Sequence, residues 1–140
     1  YFRGGYPQLS QEEVLDYCAD ALCRCHHAGV RVIRLGLHDT PSLREHLLAG
    51  YFHPAYGELA ESRLYLRQLK AAAADCGKPE LFVETAPRTM SKVLGQHGCN
   101  RKVLAEQGVS LHVRENAAVA AGTILAEQQV YEIFSERNQR

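Results

Sequence analysis

The sequence lacks the features that mark an extreme class of protein. It has no Trp, one Met and no formal net charge, with 16 Lys and Arg against 16 Asp and Glu in 140 residues. This balance excludes a strongly basic chain that holds nucleic acid by charge alone, although it leaves room for a local basic face. The apolar runs are far shorter than a membrane span, which favours a soluble protein with no membrane partner. The length suits one ordinary domain or two small ones.

Signatures of several catalytic classes are also missing. The chain has no Cys-x-x-Cys pair, no His-Glu-x-x-His helix, no Gly-x-Ser-x-Gly elbow and no phosphate-binding loop. Its five cysteines are an odd number, and their spacing is not that of a small disulfide scaffold. Free thiols in a reducing cytosol are the simpler interpretation, so we expect a cytoplasmic protein. The sequence does not predict a complete active site.

The start of the chain carries no signal or transit segment. It begins at Tyr1, and its only methionine is Met90. We therefore expect the chain to be part of a longer protein, with some of the chemistry upstream of Tyr1.

The N-terminal third predicts a helix followed by a strand. Ser10 and Glu13 form a capping box, and Gly29 supplies the C-terminal cap. The β-branched run from Val30 to Leu37 predicts a strand. A helix and strand joined by so short a turn are typical of a parallel α/β layer. The residues expected on the buried stripe of the helix are Val14, Tyr17, Cys18, Ala21, Leu22, Cys25 and Ala28.

The middle of the chain predicts one long helix. After a short helix near 43–49, apolar periodicity runs from Ala55 to Asp75 and ends at Gly77 and Pro79. Arg63 and Arg67 lie within the apolar arc of this helix, so we expect them to have carboxylate or phosphate partners. The sequence does not identify those partners.

The C-terminal part predicts a strand–helix–helix–strand unit. Strands are expected at 81–83 and 109–114, with a short helix around Val93 and a second helix at 100–107 between them. Gly95-Gln96-His97-Gly98 separates the helices. A further strand is expected at 123–127, and 130–134 fits either a strand or a helix.

One cluster of potential metal ligands lies on the first helix. Asp16, Asp20, Cys23 and His27 share the face opposite the apolar stripe and could hold a metal. An ordinary solvated face has the same composition, so we predict no metal site. An independent metal-binding protein remains a third hypothesis.

A second cluster precedes the long helix. His53 is held extended by the proline that follows it, and Tyr56, Glu58 and Arg63 come within a dozen residues. Such groups can transfer protons or bind an anion. An interface loop with a satisfied histidine is the favoured interpretation.

The third candidate is the Gly-x-x-Gly loop. In a strand–helix–helix–strand context it resembles a KH module, in which the glycines let a nucleic-acid backbone approach a helix N-terminus. The stretch 80–114 has five Lys and Arg against three Glu, a balance of +2. A purely structural helix–turn–helix would carry the same glycines. The candidate nucleic-acid contacts are Lys92, Gly95, Gln96, His97, Gly98, Arg101 and Lys102.

Residues 10–67 resemble elongator-like radical SAM proteins, a group often described as bacterial iron–sulfur oxidoreductases. The resemblance is carried by Ala-Gly-Val-Arg-Val-Ile-Arg-Leu-Gly-Leu at 28–37 and by Ala-Gly-Tyr-Phe-His-Pro-Ala-Tyr-Gly-Glu-Leu-Ala-Glu-Ser-Arg at 49–63. It implies an upstream barrel that binds S-adenosylmethionine and holds a four-iron four-sulfur cluster. The cluster would be bound by a Cys-x-x-x-Cys-x-x-Cys loop, which this chain lacks. The barrel-interface or substrate residues that it implies are Arg34, His53, Tyr56, Glu58, Glu61 and Arg63.

The predicted architecture is an α/β (α+β) chain in three segments. Residues 1–54 would end the barrel, 55–79 would form a linking helix, and 80–140 would form a KH-like βααβ domain. The leading functional hypothesis is a substrate-recognition region of a radical SAM enzyme, not catalytic alone. It would have the upstream barrel and a transfer-RNA-like substrate as partners. The alternative is a structural cap on the barrel that binds no nucleic acid.

Overall fold

The computed structural model of the chain describes residues 3–5 and 7–135. It is a mixed α and β structure, which confirms the coarse fold class. Within the described residues, no helix is both long enough and apolar enough to cross a membrane. The elements are α1 Gln11–His27, α2 Pro41–His46, α3 Tyr56–Cys76, β1 Glu80–Thr85, α4 Met90–Leu94, a 3₁₀ turn Gln96–Gly98, α5 Cys99–Glu106, β2 Ser110–Glu115, β3 Thr123–Ala126 and β4 Gln129–Glu132.

The four strands form one mixed sheet in the order β2-β1-β3-β4. β1 and β2 run parallel, with Leu81 opposite Leu111, and the α4–α5 pair is the crossover between them. β3 is antiparallel to both β1 and β4. The segment whose sequence fits either a strand or a helix therefore enters the sheet as β4.

The ends of α1 are as the sequence predicts. The Ser10 hydroxyl accepts from the Glu13 amide, and the Glu13 carboxylate accepts from the Ser10 amide at 2.7 Å, which completes the capping box. Gly29 follows the helix with φ +67°, the left-handed conformation that ends many helices.

The predicted buried stripe of α1 is wrong. The buried side chains are Ala19 and Cys23, each 0% exposed, whereas Tyr17 of the predicted stripe is 64% exposed. The face that packs is the one that carries Asp16 and Asp20, because both carboxylates pair with arginines of α3. The face of α1 that packs therefore combines the buried side chains of Ala19 and Cys23 with carboxylates that pair with α3.

The predicted strand at 30–37 is absent. The structure has no regular element from Val30 to Leu37, and Ile33 is 90% exposed. A strand needs a neighbour for its backbone hydrogen bonds, and no described residue of the chain pairs with this segment. Gly36 nevertheless approaches α3: a Cβ at Gly36 would lie 3.0 Å from Cβ of Tyr56.

A single hydrophobic core joins α1 to α3 and the sheet. Ala19 and Cys23 of α1 belong to the same buried cluster as Leu64 and Leu69 of α3 and as Ile124 of β3. The Cys23 thiol lies 3.9 Å from the carbonyl oxygen of Ile133. α3 is the element that contacts both α1 and the sheet. The three-segment division of the chain remains a prediction.

Candidate functional site

Three consecutive residues of α3 connect it to three other elements. Glu61 accepts from the Lys92 ammonium of α4, Ser62 accepts from Asn100 of α5, and Arg63 donates to α1. These residues lie in the segment 49–63 that carries the resemblance. The Glu61-Ser62-Arg63 junction therefore lies where α1 meets the strand–helix–helix–strand unit.

The arginines of α3 find the carboxylate partners that the sequence demands. Arg63 donates to both oxygens of Asp16 at 2.8 Å and to Glu12 at 2.6 Å. Arg67 donates to Asp20 at 2.6 Å and to Asp16 at 3.0 Å. Bidentate Arg–carboxylate pairs are the strongest ion pairs, and they hold α1 against α3.

This network shifts the pKa values of Asp16, Arg63 and Arg67 in the direction that keeps them charged. The hydrogen bonds from Arg63 lower the pKa of Asp16 to about 2. The pKa of Arg63 is raised, chiefly by its hydrogen bonds to Asp16. The cluster on the face of α1 opposite the predicted stripe is thus an ion-pair surface.

Asn100 is buried, and its side chain connects α5 to α3 and α4 by hydrogen bonds. Its side-chain amide is within hydrogen-bond distance of the Ser62 carbonyl and hydroxyl at 3.1 Å and of the Val93 carbonyl at 3.0 Å. The residue is 3% exposed. Asn100, which directly precedes the candidate contacts Arg101 and Lys102, therefore has a structural role.

The two glycines of the loop have different environments. A Cβ at Gly95 would lie 2.4 Å from the Cys99 sulfur and 2.9 Å from the Asn100 backbone nitrogen, so only glycine fits there. Gly98 has φ +71° and nothing within 4 Å of where its Cβ would be. Only Gly98 leaves room for another molecule to approach the backbone.

The basic residues of the predicted nucleic-acid contact do not act as one patch. Lys92 is half-buried, and its ion pair with Glu61 neutralises it. Burial alone would lower the pKa of Lys92, but the hydrogen bond to Glu61 outweighs it and the pKa is raised. Arg101 and Lys102 are exposed on the first turns of α5. The free positive charge is on α5, beyond Gly98.

The structure joins two groups that the sequence analysis treated separately. His53 and Glu58 line a cleft of about 220 Å³ together with Lys92, Gln96 and His97 of the second half of the chain. Nδ1 of His53 accepts from the Ala55 amide at 3.0 Å, and its Nε2 lies 3.3 Å from the Gln96 side-chain amide. Both ring nitrogens of His53 therefore have a hydrogen-bond partner within the chain.

The remaining predicted interface residues have mixed environments. Arg34 is exposed and hydrogen-bonded to His38 at 2.8 Å. Tyr56 is only 6% exposed, and its hydroxyl is the one buried side-chain polar atom of the described residues that has no hydrogen-bond partner. Burial raises the pKa of that hydroxyl.

The cysteines do not form a metal or cluster site. Cys23 is buried, where desolvation raises the pKa of its thiol, and Cys99 is exposed at the start of α5. Throughout the part of the chain that the structure describes, no three His, Cys, Asp or Glu side chains come together in a way that could hold a metal ion. The residues present do not fit an iron–sulfur cluster.

Large exposed apolar side chains are concentrated before α3. Among the described residues, nine of the eleven lie between Leu9 and Tyr51, and two belong to the sheet. We call the first group the N-terminal apolar surface. It comprises Leu9, Tyr17, Val30, Val32, Ile33, Leu37, Leu47, Leu48 and Tyr51.

Sequence reasoning missed the carboxylate partners and the open face of the sheet. Asp16 and Asp20 are spaced i,i+4, as are Arg63 and Arg67, and this matched spacing is the signal that would have found the pairing. Phe82 and His112 alternate outward on two strands at the same register. Both signals can be read from the sequence of this chain alone. No protein-family model, no curated protein and no solved structure matches the chain.

Proposed function

We propose that this chain is an accessory region that docks onto a larger folded body through its N-terminal apolar surface. The observation that carries the proposal is the concentration of exposed large apolar residues before α3, with Ile33 90% and Leu48 72% exposed. Exposed apolar surface is a frequent feature of sites that bind another protein.

The resemblance of residues 10–67 to elongator-like radical SAM proteins suggests what that body is. In this proposal the partner is a radical SAM barrel, and the unpaired segment 30–37 completes its strand when the barrel supplies a neighbour. The chain has no cysteine set for the cluster, so the cluster and S-adenosylmethionine belong to the barrel. The chain is therefore not catalytic alone.

Two further features support docking as the main role. Part of the apolar stripe of α1 faces outward, with Tyr17 64% exposed, although such a stripe is ordinarily buried. Lys92, which lines the cleft beside His97, is neutralised by Glu61. Both features favour a cap on the barrel over a surface that holds nucleic acid by charge.

Hydrogen exchange of this chain with and without a separately produced elongator-like radical SAM barrel tests the proposal. We expect backbone amides at 9–51 to gain protection, and we expect Ile33→Lys to weaken the complex. Val130→Lys is the matched control, because Val130 is 59% exposed but lies on the sheet. No complex, or protection confined to the strands, would contradict the proposal.

RNA contact at the Gly95–Gly98 loop is the second candidate function. It is favoured by the open space beside Gly98 and by the exposed Arg101 and Lys102 on the helix that follows. Backbone amides at a helix N-terminus bind phosphate, and nearby cations strengthen the contact. The two roles are compatible, because the N-terminal apolar surface and this loop involve different residues.

Substitution of Gly98 tests the RNA contact cleanly. We expect Gly98→Asp to lower the affinity for a single-stranded RNA at least about tenfold, because a carboxylate would repel the phosphate. Gly108→Asp is the control: Gly108 also has a positive φ and nothing within 4 Å, but it lies at the other end of α5. Equal affinity of wild type and Gly98→Asp would refute the contact.

A further inference from the structure

The side of the sheet that faces away from the helices carries a preformed pair of rings. Leu81 and Val83 of β1 are buried, whereas Phe82 between them is 57% exposed. Phe82 lies opposite His112 of β2, and their rings stack with centroids 4.6 Å apart and planes at 12°. Since His112 supports one face of the Phe82 ring, the ring is held upright on an otherwise open surface.

A groove of about 460 Å³ runs beside this ring pair. Its volume is in the range of small-molecule sites. Strands β1, β2 and β3 form its base, and the turn between β3 and β4 contributes to its wall. The residues that line it are Phe82, Val83, Glu84, His112, Val113, Arg114, Leu125, Glu127 and Gln128.

The turn beside the groove is built from residues that strain it. Glu127 and Gln128 have φ +48° and +65°, the left-handed region in which two-residue hairpin turns prefer Asn and Gly. Glycine at Gln128 would give a more stable turn. The chain instead places a carboxylate and an amide there, and strained residues of this kind gather at binding sites.

The polar groups of the groove narrow the choice of occupant. Glu84 is paired with Arg114 and Asn116, and Glu127 accepts from the Lys78 ammonium at 3.2 Å. The negative charges of Glu84 and Glu127 are balanced by the positive charges of Arg114 and Lys78. The groove therefore has no excess positive charge that would attract a polyanionic chain. A purely aliphatic occupant would desolvate the Gln128 amide without giving it a partner, and it would bury the ion pair between Glu127 and Lys78.

We propose that this groove binds the purine base of a single nucleoside or nucleotide. The base stacks on the free side of Phe82, since stacking is the favoured contact between a base and an aromatic ring. Its edge donates to the Glu127 carboxylate and hydrogen-bonds the Gln128 amide. Guanine fits better than adenine, because its adjacent ring N–H and amino group can both donate to the Glu127 carboxylate, whose Oε1 also accepts from Lys78 and whose Oε2 has the freer lone pairs. The site is separate from both the N-terminal apolar surface and the Gly95–Gly98 loop.

Titration of the chain with nucleosides, followed by NMR, tests the ligand class. We expect guanosine to shift the Phe82 and His112 resonances, and guanosine monophosphate to bind with an affinity within about threefold of guanosine, because the groove has no net charge to attract phosphate. Uridine, with its smaller ring, should bind at least about tenfold more weakly. The absence of ring shifts at millimolar guanosine would overturn the proposal. Binding that requires an oligonucleotide would also overturn it.

Two variants and a control locate the site. Phe82→Ala should lower guanosine affinity at least about tenfold with an unchanged Tm, because the ring is exposed. Val130→Ala removes an equally exposed apolar side chain from the same sheet, outside the groove, and should not change the affinity. Gln128→Gly should raise Tm and lower the affinity together. Guanosine binding by Phe82→Ala equal to that of wild type would refute the site.

Discussion

Two segments of this chain share one local pattern and have different structures. Residues 28–35 and 107–114 both place a glycine after a helix and follow it with valine and a run of interspersed aliphatic and polar residues. The second segment forms β2, and the first forms no strand. The difference is the neighbour: β1 pairs with β2 in parallel along its whole length, whereas no described residue pairs with 30–37. A strand-like sequence pattern shows that a segment can form a strand. Whether it does so depends on a neighbouring strand that can accept and donate its backbone hydrogen bonds.

Helices α4 and α5 pack against β2, and Gly95 between them is a position that does not tolerate a larger side chain. We expect Gly95→Ala to destabilise the fold by about 3–4 kcal/mol, because the new Cβ would overlap Cys99 and Asn100 in a left-handed backbone. Chemical denaturation measures the loss of unfolding free energy. Gly98→Ala should cost only about 1 kcal/mol, since its strain comes without a clash. Equal losses would show that the close approach at Gly95 does not exist.

A pair of truncations compares the two segments directly. Leu111→Ala in β2 should lower the unfolding free energy by about 3 kcal/mol, because Leu111 is 3% exposed. Ile33→Ala should change it by less than about 0.5 kcal/mol, because Ile33 is 90% exposed. Thermal and urea unfolding both report these values. A similar loss at both positions would mean that 30–37 is packed in solution.

Helix α1, which precedes the first segment, is held against α3 by ion pairs. The contribution of these ion pairs to stability depends on pH. Because Arg63 holds the pKa of Asp16 at about 2, below its unfolded value, the stabilisation is present above about pH 4 and is lost as the pH falls towards 2. The Asp16 side chain is 44% exposed, so solvent screening reduces the contribution to about 1 kcal/mol.

The measurement compares the urea unfolding of wild type and Asp16→Asn at pH 7 and pH 2. We expect a difference of about 1 kcal/mol at pH 7 that largely disappears at pH 2. Glu45→Gln on the exposed side of α2 serves as the control. A difference that persists at pH 2 would show that Asp16 acts through packing instead of charge.

The smallest expected effect concerns the buried hydroxyl of Tyr56 at the start of α3. Tyr56→Phe should leave the protein unchanged or about 0.5 kcal/mol more stable, because the hydroxyl is buried without a partner. Tyr65→Phe should have the opposite sign and cost about 1 kcal/mol, since that buried hydroxyl is hydrogen-bonded to Gly122 and Thr89. A clear loss of stability in Tyr56→Phe would mean that its hydroxyl has a partner in solution.

Much of the local structure could be predicted from the sequence. The capping box at Ser10 and the breaks at Gly29 and Gly77 depend on residues a few positions apart, so they mark the ends of α1 and α3 correctly. The strand–helix–helix–strand order was predicted for the same reason. The rotation of α1 was not, because an apolar stripe and an acidic face compete and only α3 shows which one is buried.

The candidate sites were predictable only in part. The requirement that Arg63 and Arg67 have anionic partners follows from their place in an apolar arc, and the structure meets it with Asp16 and Asp20. That Gly95 packs against Asn100 while Gly98 stays open was not predictable, since both are simply glycines in one loop. Their difference arises from the way α5 folds back onto the loop.

The sequence by itself determined where helices begin and end and which residues favour strands, because capping, backbone preference and periodicity act over a few positions. The tertiary structure decided which face of α1 is buried, that 107–114 pairs while 28–35 does not, and that Phe82 stacks on His112 across β1 and β2. These outcomes depend on ion pairs, backbone hydrogen bonds and ring contacts between residues distant in the chain. Such interactions exist only after the elements have packed.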